Sequence, residues 1–114
     1  MASPPQMLFL SLHTARPAVV SNEVSARFGG RIVIAAADLG EPETGIGGLR
    51  EVRNLRALIS QPANEKLRLE AIGIWSDASG GLQLLSGIIE PGLVVERGDP
   101  AVFLTGDVRL RATA

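Results

Sequence analysis

Ser11 and His13 are the residues whose types and spacing come closest to a catalytic arrangement. They lie two positions apart in an apolar segment with strand character, so their side chains share one face, and Asp38 could supply the carboxylate of a Ser-His-Asp set. The sequence around Ser11 lacks the motif that exposes a nucleophile, and no segment marks an oxyanion hole. The sequence therefore predicts that the protein is not an enzyme. It predicts that His13, the only histidine, has a structural role and bonds an adjacent loop.

Metal and cofactor sites are not predicted either. Residues 77–81 have the Asp, Ser and Gly content of a calcium-binding loop, but they lack its further acidic ligands and its bidentate Glu. Residues 45–48 are rich in Gly, but residues 49–51 after them lack the Lys and the Ser or Thr of a phosphate-binding loop. The chain has no cysteine, which excludes disulfides, thiolate metal sites and a cysteine nucleophile.

A short arginine-rich stretch is the one notable concentration of charge in the sequence. Arg50, Arg53 and Arg56 recur at three-residue spacing, with Glu51 between them. Two interpretations stay open: a solvated face, or a docking surface for an acidic partner protein that uses the planar guanidinium groups. Nucleic acid is not an expected partner, since the net charge is −1 and the aromatic residues are three Phe, one Trp and no Tyr.

The element that must position these side chains is a predicted β-hairpin. Its arms are residues 67–75 and 82–89, and the turn between them is rich in Asp, Ser and Gly. The outgoing arm is almost wholly apolar, which predicts a central strand in a packed sheet. Ile74 and Leu84 are expected in the core. Trp75 ends the incoming arm, and we expect its indole N–H to reach a carbonyl or water.

Further short strands are predicted on both sides of the hairpin, with Gly, Asp and Pro in the turns between them. They cover residues 7–14, 31–37, 93–95, 101–104 and 108–112. A turn is expected at residues 90–92. This pattern, with at most one short helix, predicts an all-β fold: a compact β-sandwich or a jelly-roll-like barrel.

Residues 49–59 are ambiguous. Their apolar residues recur at three- and four-residue spacing, which by period alone predicts an amphipathic helix. A strand that ends before Pro62 is the alternative. The preceding residues 38–48 are acidic and rich in Gly, and we expect a loop of high mobility there.

Length and composition predict one domain. A chain of 114 residues with 46% hydrophobic and 20% charged residues suits a single core, assigned to residues 7–114. Residues 1–6 are expected to form an extended arm, because Pro4 and Pro5 exclude a helix there. No signal peptide or membrane-spanning run is recognisable, so we expect a soluble protein that does not interact with membranes.

Several segments, in this order along the chain, match a known pattern. They are residues 10–14 with Pro17, 22–25, 31–34, Asn54 with 57–62, 71–81 with 84–87, 98–99 and 106–110. Together they resemble a family of small tailed-phage virion proteins that are usually labelled tail or tail-fibre proteins. The chain departs from the pattern at Gly29 and Gly30, where the family has an aromatic residue before the strand arginine, and in the arginine content of residues 49–59.

The resemblance implies a non-enzymatic building block of the virion, assembled in the cytoplasm of the bacterial host. It brings no catalytic residues or cofactors, and it favours a strand over a helix at residues 49–59. Within this family we predict a capsid decoration or cementing protein, because the single small domain has no coiled coil or fibre repeat. A tail or tail-fibre attachment subunit is the alternative, and a small-ligand-binding β-barrel is the alternative of another class.

The predicted partners are other copies of the chain, in a dimer or trimer, and the major capsid protein or tail proteins. We assign the contacts to two places. One is the set Arg50, Arg53 and Arg56; the other is the arm with Pro4 and Pro5, together with Met7 at the start of the first strand.

Overall fold

The computed structural model of the chain describes residues 7–40, 43–44 and 50–112. Within these residues the backbone forms nine β-strands. They are β1 Met7–His13, β2 Ile32–Ala35, β3 Glu43–Thr44, β4 Arg50–Arg53, β5 Leu58–Pro62, β6 Leu67–Trp75, β7 Gln83–Val95, β8 Pro100–Phe103 and β9 Arg109–Ala112. Three 3₁₀ segments lie at Val20–Asn22, Ser25–Phe28 and Ala36–Asp38. The prediction of an all-β fold is confirmed.

The strands form two sheets that enclose one core. The larger sheet has seven strands in the order β2-β1-β6-β7-β9-β4-β3, with antiparallel neighbours, and the smaller sheet pairs β5 with β8. Leu58 and Phe103 of the smaller sheet belong to the same buried cluster as Leu10 and Ile74 of the larger one. The arrangement is sandwich-like, with the larger sheet curled around the core.

Alternation along β1 places this strand in the centre of the core. Leu8, Leu10 and Leu12 point to one face, where they are at most 7% exposed. Ile74 and Ile72 of β6 lie directly opposite Leu10 and Leu12 and are equally buried. Such directly opposed aliphatic pairs fix the register, because a shift by one residue would turn all of these side chains to the other face.

The central hairpin is confirmed as β6 and β7, but its outgoing strand is longer than predicted. The expected turn at residues 90–92 does not interrupt β7, which continues to Val95. The register instead shifts between the pairs Leu69–Leu93 and Ala71–Ile88, so the extra residues bulge out of the ladder. Pro91 has no N–H to donate, and a bulge is one of the few positions in a sheet that tolerates it.

The outgoing arm is also less buried than its apolar sequence predicts. Ile74 is fully buried as expected, whereas Leu84 is only partly buried and packs at the margin of the core. Ile88 is 50% exposed. β9 pairs with β7 at Leu85 and Ser86 in the described part of the chain, and beyond them Ile88 lines an open slot.

Residues 50–59 form strands and not the helix suggested by their periodicity. β4 and β5 are separated by a bend, and each alternates on its own: Val52 lies opposite Leu110, and Leu58 lies opposite Phe103. The helical spacing arises because two strands of period two are joined by a bend. The predicted loop at residues 38–48 lies partly outside the described residues; inside it, Glu43–Thr44 pair with β4 as β3.

Candidate functional site

A buried chain of hydrogen bonds connects Ser11 and His13 to two other parts of the fold. The Oγ atom of Ser11 lies 2.6 Å from Nε2 of His13, and the indole N–H of Trp75 donates to the same oxygen at 2.7 Å. On the other side of the ring, Nδ1 lies 2.8 Å from Oδ1 of Asn22 and 3.0 Å from the carbonyl oxygen of Val19. Ser11 and His13 are both 0% exposed.

The network assigns the tautomer of His13. Asn22 donates its amide N–H to the carbonyl of Pro17 and accepts the backbone N–H of Val19, so its Oδ1 atom must face the ring as an acceptor. Nδ1 of His13 therefore carries the hydrogen, and Nε2 accepts the hydroxyl of Ser11. Burial lowers the pKa of His13, and this outweighs the opposing effects of Asn22 and of nearby Glu23.

This arrangement has the residue types of a catalytic triad but lacks an accessible nucleophile. Ser11 is enclosed, and one lone pair of its hydroxyl already binds the indole N–H of Trp75. Asp38 does not complete the set: one of its oxygens accepts the backbone N–H of Ala35, and the other accepts from Arg56. The geometry fits a structural role, in which His13 ties the 3₁₀ segment Val20–Asn22 to the sheet.

The absence of a side chain at Gly73 leaves room for this network. A side chain at Gly73 would meet the Oγ of Ser11 at 2.8 Å, the amide nitrogen of Gln83 at 2.6 Å and the indole nitrogen of Trp75 at 3.0 Å. Gln83 in turn donates to the carbonyl of Ala18, in the loop that covers this face. Every buried side-chain nitrogen and oxygen among the described residues has a partner.

Arg31 forms a second cluster at the tip of the hairpin. Its Nε and Nη2 atoms each lie 2.9 Å from an oxygen of Glu23, and its Nη1 donates to the carbonyls of Asp77 and Gly80. The guanidinium group also lies 4.2 Å above the centre of the Trp75 ring. The hydrogen bond from Arg31 lowers the pKa of Glu23. Residues 77–81 are thus held as a turn by their carbonyls.

The predicted arginine set does not form one surface. Arg53 is exposed on β4 and lies opposite Arg109 of β9, whereas Arg56 sits in the bend after β4 and pairs with Asp38 at 3.3 Å. The side chain of Arg50 lies outside the described residues. The structure instead groups Arg53 with Arg109 and Arg111, which share one face of two paired strands.

From the sequence, Arg109 and Arg111 of this group could be recognised only as outward-facing residues of the last strand. Arg111 pairs with Glu51 at 2.9 Å, and Glu51 is only 9% exposed. Arg53 and Arg109 are like charges on directly opposed residues, an arrangement that disfavours strand pairing. Sequence spacing could not reveal this group, because the pairing of β4 with β9 joins residues more than fifty positions apart.

Exposed apolar side chains are the other notable surface feature. Met7 is 46% exposed and shares a face of β1 with Phe9. Phe9 lies opposite Val33, which is 56% exposed on β2, the strand at one end of the larger sheet. On the outer face of the small sheet, Ile59 and Val102 are directly paired and both exposed. Pro4 and Pro5, predicted to contact a partner together with Met7, lie outside the described residues.

A slot opens where β9 leaves β7. It has a volume of about 930 Å³ and reaches from the solvent to Phe103 and Val108 at the margin of the core. One wall is β7 from Ser86 to Leu93, and the other is the chain from Val102 to Arg109. No group of three potential metal ligands occurs among the described His, Asp and Glu residues.

Comparison with protein-family models and with curated proteins finds no match for this chain. In the parts of the chain that the structure describes, no helix has the length and apolarity to cross a membrane.

Proposed function

We propose that the protein is a non-enzymatic structural subunit of a tailed-phage virion, and within the virion a capsid decoration or cementing protein. The observation that carries this proposal is the difference between the side chains in the interior and those on the surface. The side chains of catalytic type, Ser11 and His13, are enclosed and bound to each other. The accessible surface instead presents apolar side chains on strands, among them Val33, Ile59 and Val102.

Such a surface suits repeated contacts with other proteins. Exposed apolar residues that cluster on strand faces and edges favour association. In an assembled particle each contact can be weak, because many copies bind at once and their effects multiply. The proposed partners are other copies of this chain and the major capsid protein.

Hydrogen bonds that hold two loops in place support the same role. Arg31 fixes the hairpin turn through the carbonyls of Asp77 and Gly80, and His13 fixes the loop that contains Val19 and Asn22. Identical contacts around a lattice need a subunit that presents the same shape in every copy. The resemblance of the chain to small tailed-phage virion proteins points to the same class.

Cryo-electron microscopy of purified virions tests the proposal. Density that fits this fold on the capsid lattice supports the decoration role, and density at the tail supports attachment to the tail or its fibres. Mass spectrometry of the same particles is the companion measurement. Absence of the chain from purified virions would reject a virion role.

A further inference from the structure

β2 is the strand at one end of the larger sheet, and its outer edge has no partner strand among the described residues. Its residue pairs with β1 follow one another without a register shift, so β2 is a regular strand. At the other end of the sheet, β3 is only two residues long and contains Glu43, and short or charged strands of this kind protect a sheet edge. β2 has no such charge, since residues 32–37 read Ile-Val-Ile-Ala-Ala-Ala.

The open hydrogen-bonding groups on this edge belong to Val33. The backbone N–H of Leu12 donates to Oγ of Ser25 and its C=O accepts from Val24, so the backbone groups of Leu12 face away from β6. In an antiparallel ladder this direction alternates, so the even-numbered residues of β1 bond the even-numbered residues of β2. Val33 lies between two of these, and its own N–H and C=O therefore point to the open edge. Neither group has a partner in the described part of the chain.

Asp38 gives independent evidence for this direction and closes the edge two residues further along. The N–H of Ala35, which faces the same way as that of Val33, donates to Oδ2 of Asp38 at 3.0 Å. The other carboxylate oxygen of Asp38 pairs with Arg56. Before the strand, Arg31 is held by its ion pair in the cluster at the hairpin tip. The open stretch is thus centred on Val33.

We propose that β2 pairs antiparallel with β2 of a second copy of the chain, about a two-fold axis at Val33. The proposal rests on the proposed function in one respect, that the subunit associates with copies of itself. Each Val33 donates its N–H to the C=O of the other, so both open groups of both copies are satisfied. A pairing displaced toward Ala35 would need the N–H that Asp38 already binds, and one displaced the other way would pair Val33 with Arg31, outside the strand.

The side chains support the same pairing. Val33 is 56% exposed and lies opposite Phe9, which in turn lies opposite Trp75 of β6. A two-fold axis at Val33 joins these residues into one row that runs from Trp75 of one copy to Trp75 of the other. Cross-strand pairs of aromatic and β-branched side chains stabilise antiparallel sheets. The row therefore buries the exposed Val33 against its own counterpart.

The absence of charge selects a second copy as the occupant. In a two-fold contact the residues at the axis meet themselves, so a charge there would face a charge of the same sign. Residues 32–37 contain none, and the flanking Arg31 and Asp38 are each paired with an opposite charge of their own chain. A strand of another protein would have to be equally uncharged and to leave the same single residue open. A second copy meets both conditions by symmetry.

Val33→Pro tests the hydrogen bonds of the proposed pair. Proline removes the N–H of residue 33, which β1 does not use, and an edge strand tolerates proline where the N–H faces outward. Val33→Thr is the matched control, because it keeps both the N–H and the β-branched shape. By light scattering at high protein concentration we expect dimers of the natural chain and of Val33→Thr, and monomers of Val33→Pro. Circular dichroism shows whether Val33→Pro is folded.

Cysteine cross-linking tests the position of the axis, because the natural chain has no cysteine. In the proposed pair the two residues 33 have Cα atoms about 5.5 Å apart, within the range of a disulfide. With oxidised glutathione as the oxidant, we expect Val33→Cys to form a covalent homodimer roughly tenfold or more faster than Val94→Cys, since docking raises the effective concentration of the thiols. Val94 is the control because it is 49% exposed on β7, away from this edge.

Three results would overturn the pairing. They are a Val33→Cys variant that cross-links no faster than Val94→Cys, a folded Val33→Pro variant that dimerises as readily as the natural chain, and a natural chain that stays monomeric at every concentration. The cross-linking result decides the question even where Val33→Pro does not fold. None of these results bears on the virion role, which depends on whether the chain is found in the particle. A monomeric subunit located on the capsid would refute the pairing and leave the proposed function standing.

Discussion

The hydroxyl of Ser11 donates to Nε2 of His13 over 2.6 Å, in a site with no solvent exposure at either residue. The same oxygen accepts the indole N–H of Trp75, so one hydroxyl joins two side chains on neighbouring strands. Its other nearby acceptor is the carbonyl of Gly73 at 3.4 Å, which is too distant to compete with the ring nitrogen. Ser11 is therefore the link on which the buried network depends.

Ser11→Ala should destabilise the fold substantially. The substitution leaves the indole N–H of Trp75 and Nε2 of His13 without partners, and each unsatisfied buried group costs about 1–3 kcal/mol. Urea denaturation followed by the fluorescence of Trp75 measures the free energy of unfolding. Ser79→Ala is the matched control, because Ser79 is exposed, and it should change the stability very little. A loss at Ser11 no larger than at Ser79 would contradict the structural role of the network.

Acidification should weaken the fold through His13 at a higher pH than through Glu23. Burial lowers the pKa of His13 below its ordinary value of 6.5, so the unfolded chain binds the proton more readily than the folded one. The contribution is therefore complete above pH 6.5 and is lost as the pH falls below that value. Glu23, whose pKa is lowered by Arg31 from 4.5, adds a second loss only below pH 4.5.

The interval between pH 4.5 and 6.5 thus separates the effect of His13 from that of Glu23. As the pH falls across this interval, the free energy of unfolding should fall more steeply in the natural chain than in His13→Gln, which has no imidazole to protonate. Equal slopes for the two proteins would show that His13 is not the group responsible.

Arg31→Ala should lower the free energy of unfolding far more than the loss of an ordinary surface ion pair does. The side chain of Arg31 is 5% exposed and that of Glu23 is 15% exposed, and removing one partner of a buried pair costs about 3–5 kcal/mol. Arg27→Ala is the control, because its pair with Glu65 is about half exposed, and such pairs contribute about 0–1 kcal/mol. Similar losses in the two variants would contradict the clamp on the hairpin turn.

The fold was largely predictable from local pattern, because strands that are half buried show their period directly. β1 illustrates this, since Leu8, Leu10 and Leu12 alternate with the other face of the strand. The pattern failed where two elements meet. In residues 50–59 the apolar side chains recur at helical spacing because a bend joins two strands. Pro91 suggested a turn where the structure has a bulge.

The candidate sites were less predictable, because they depend on distant pairings. Residue type and spacing identified the pair Ser11 and His13, and a structural bond from His13 to the adjacent loop was predicted. The third member could not be found in this way: Asn22 replaces Asp38 because a 3₁₀ segment brings its amide to the ring. Trp75 was expected to bind a carbonyl or water, and it binds the hydroxyl of Ser11 because β1 and β6 are neighbours.

Gly87→Ala should disturb the point at which β9 separates from β7. A side chain at Gly87 would collide with the backbone carbonyl of Arg109 and come within 3.3 Å of Leu110. The backbone of β9 must then shift, and overpacking of this kind typically costs about 1–3 kcal/mol. Ser86→Ala, one residue earlier in the same strand, removes an atom and adds none, so it serves as the matched control in urea denaturation. A variant as stable as Ser86→Ala would mean that β7 and β9 do not approach closely at this position.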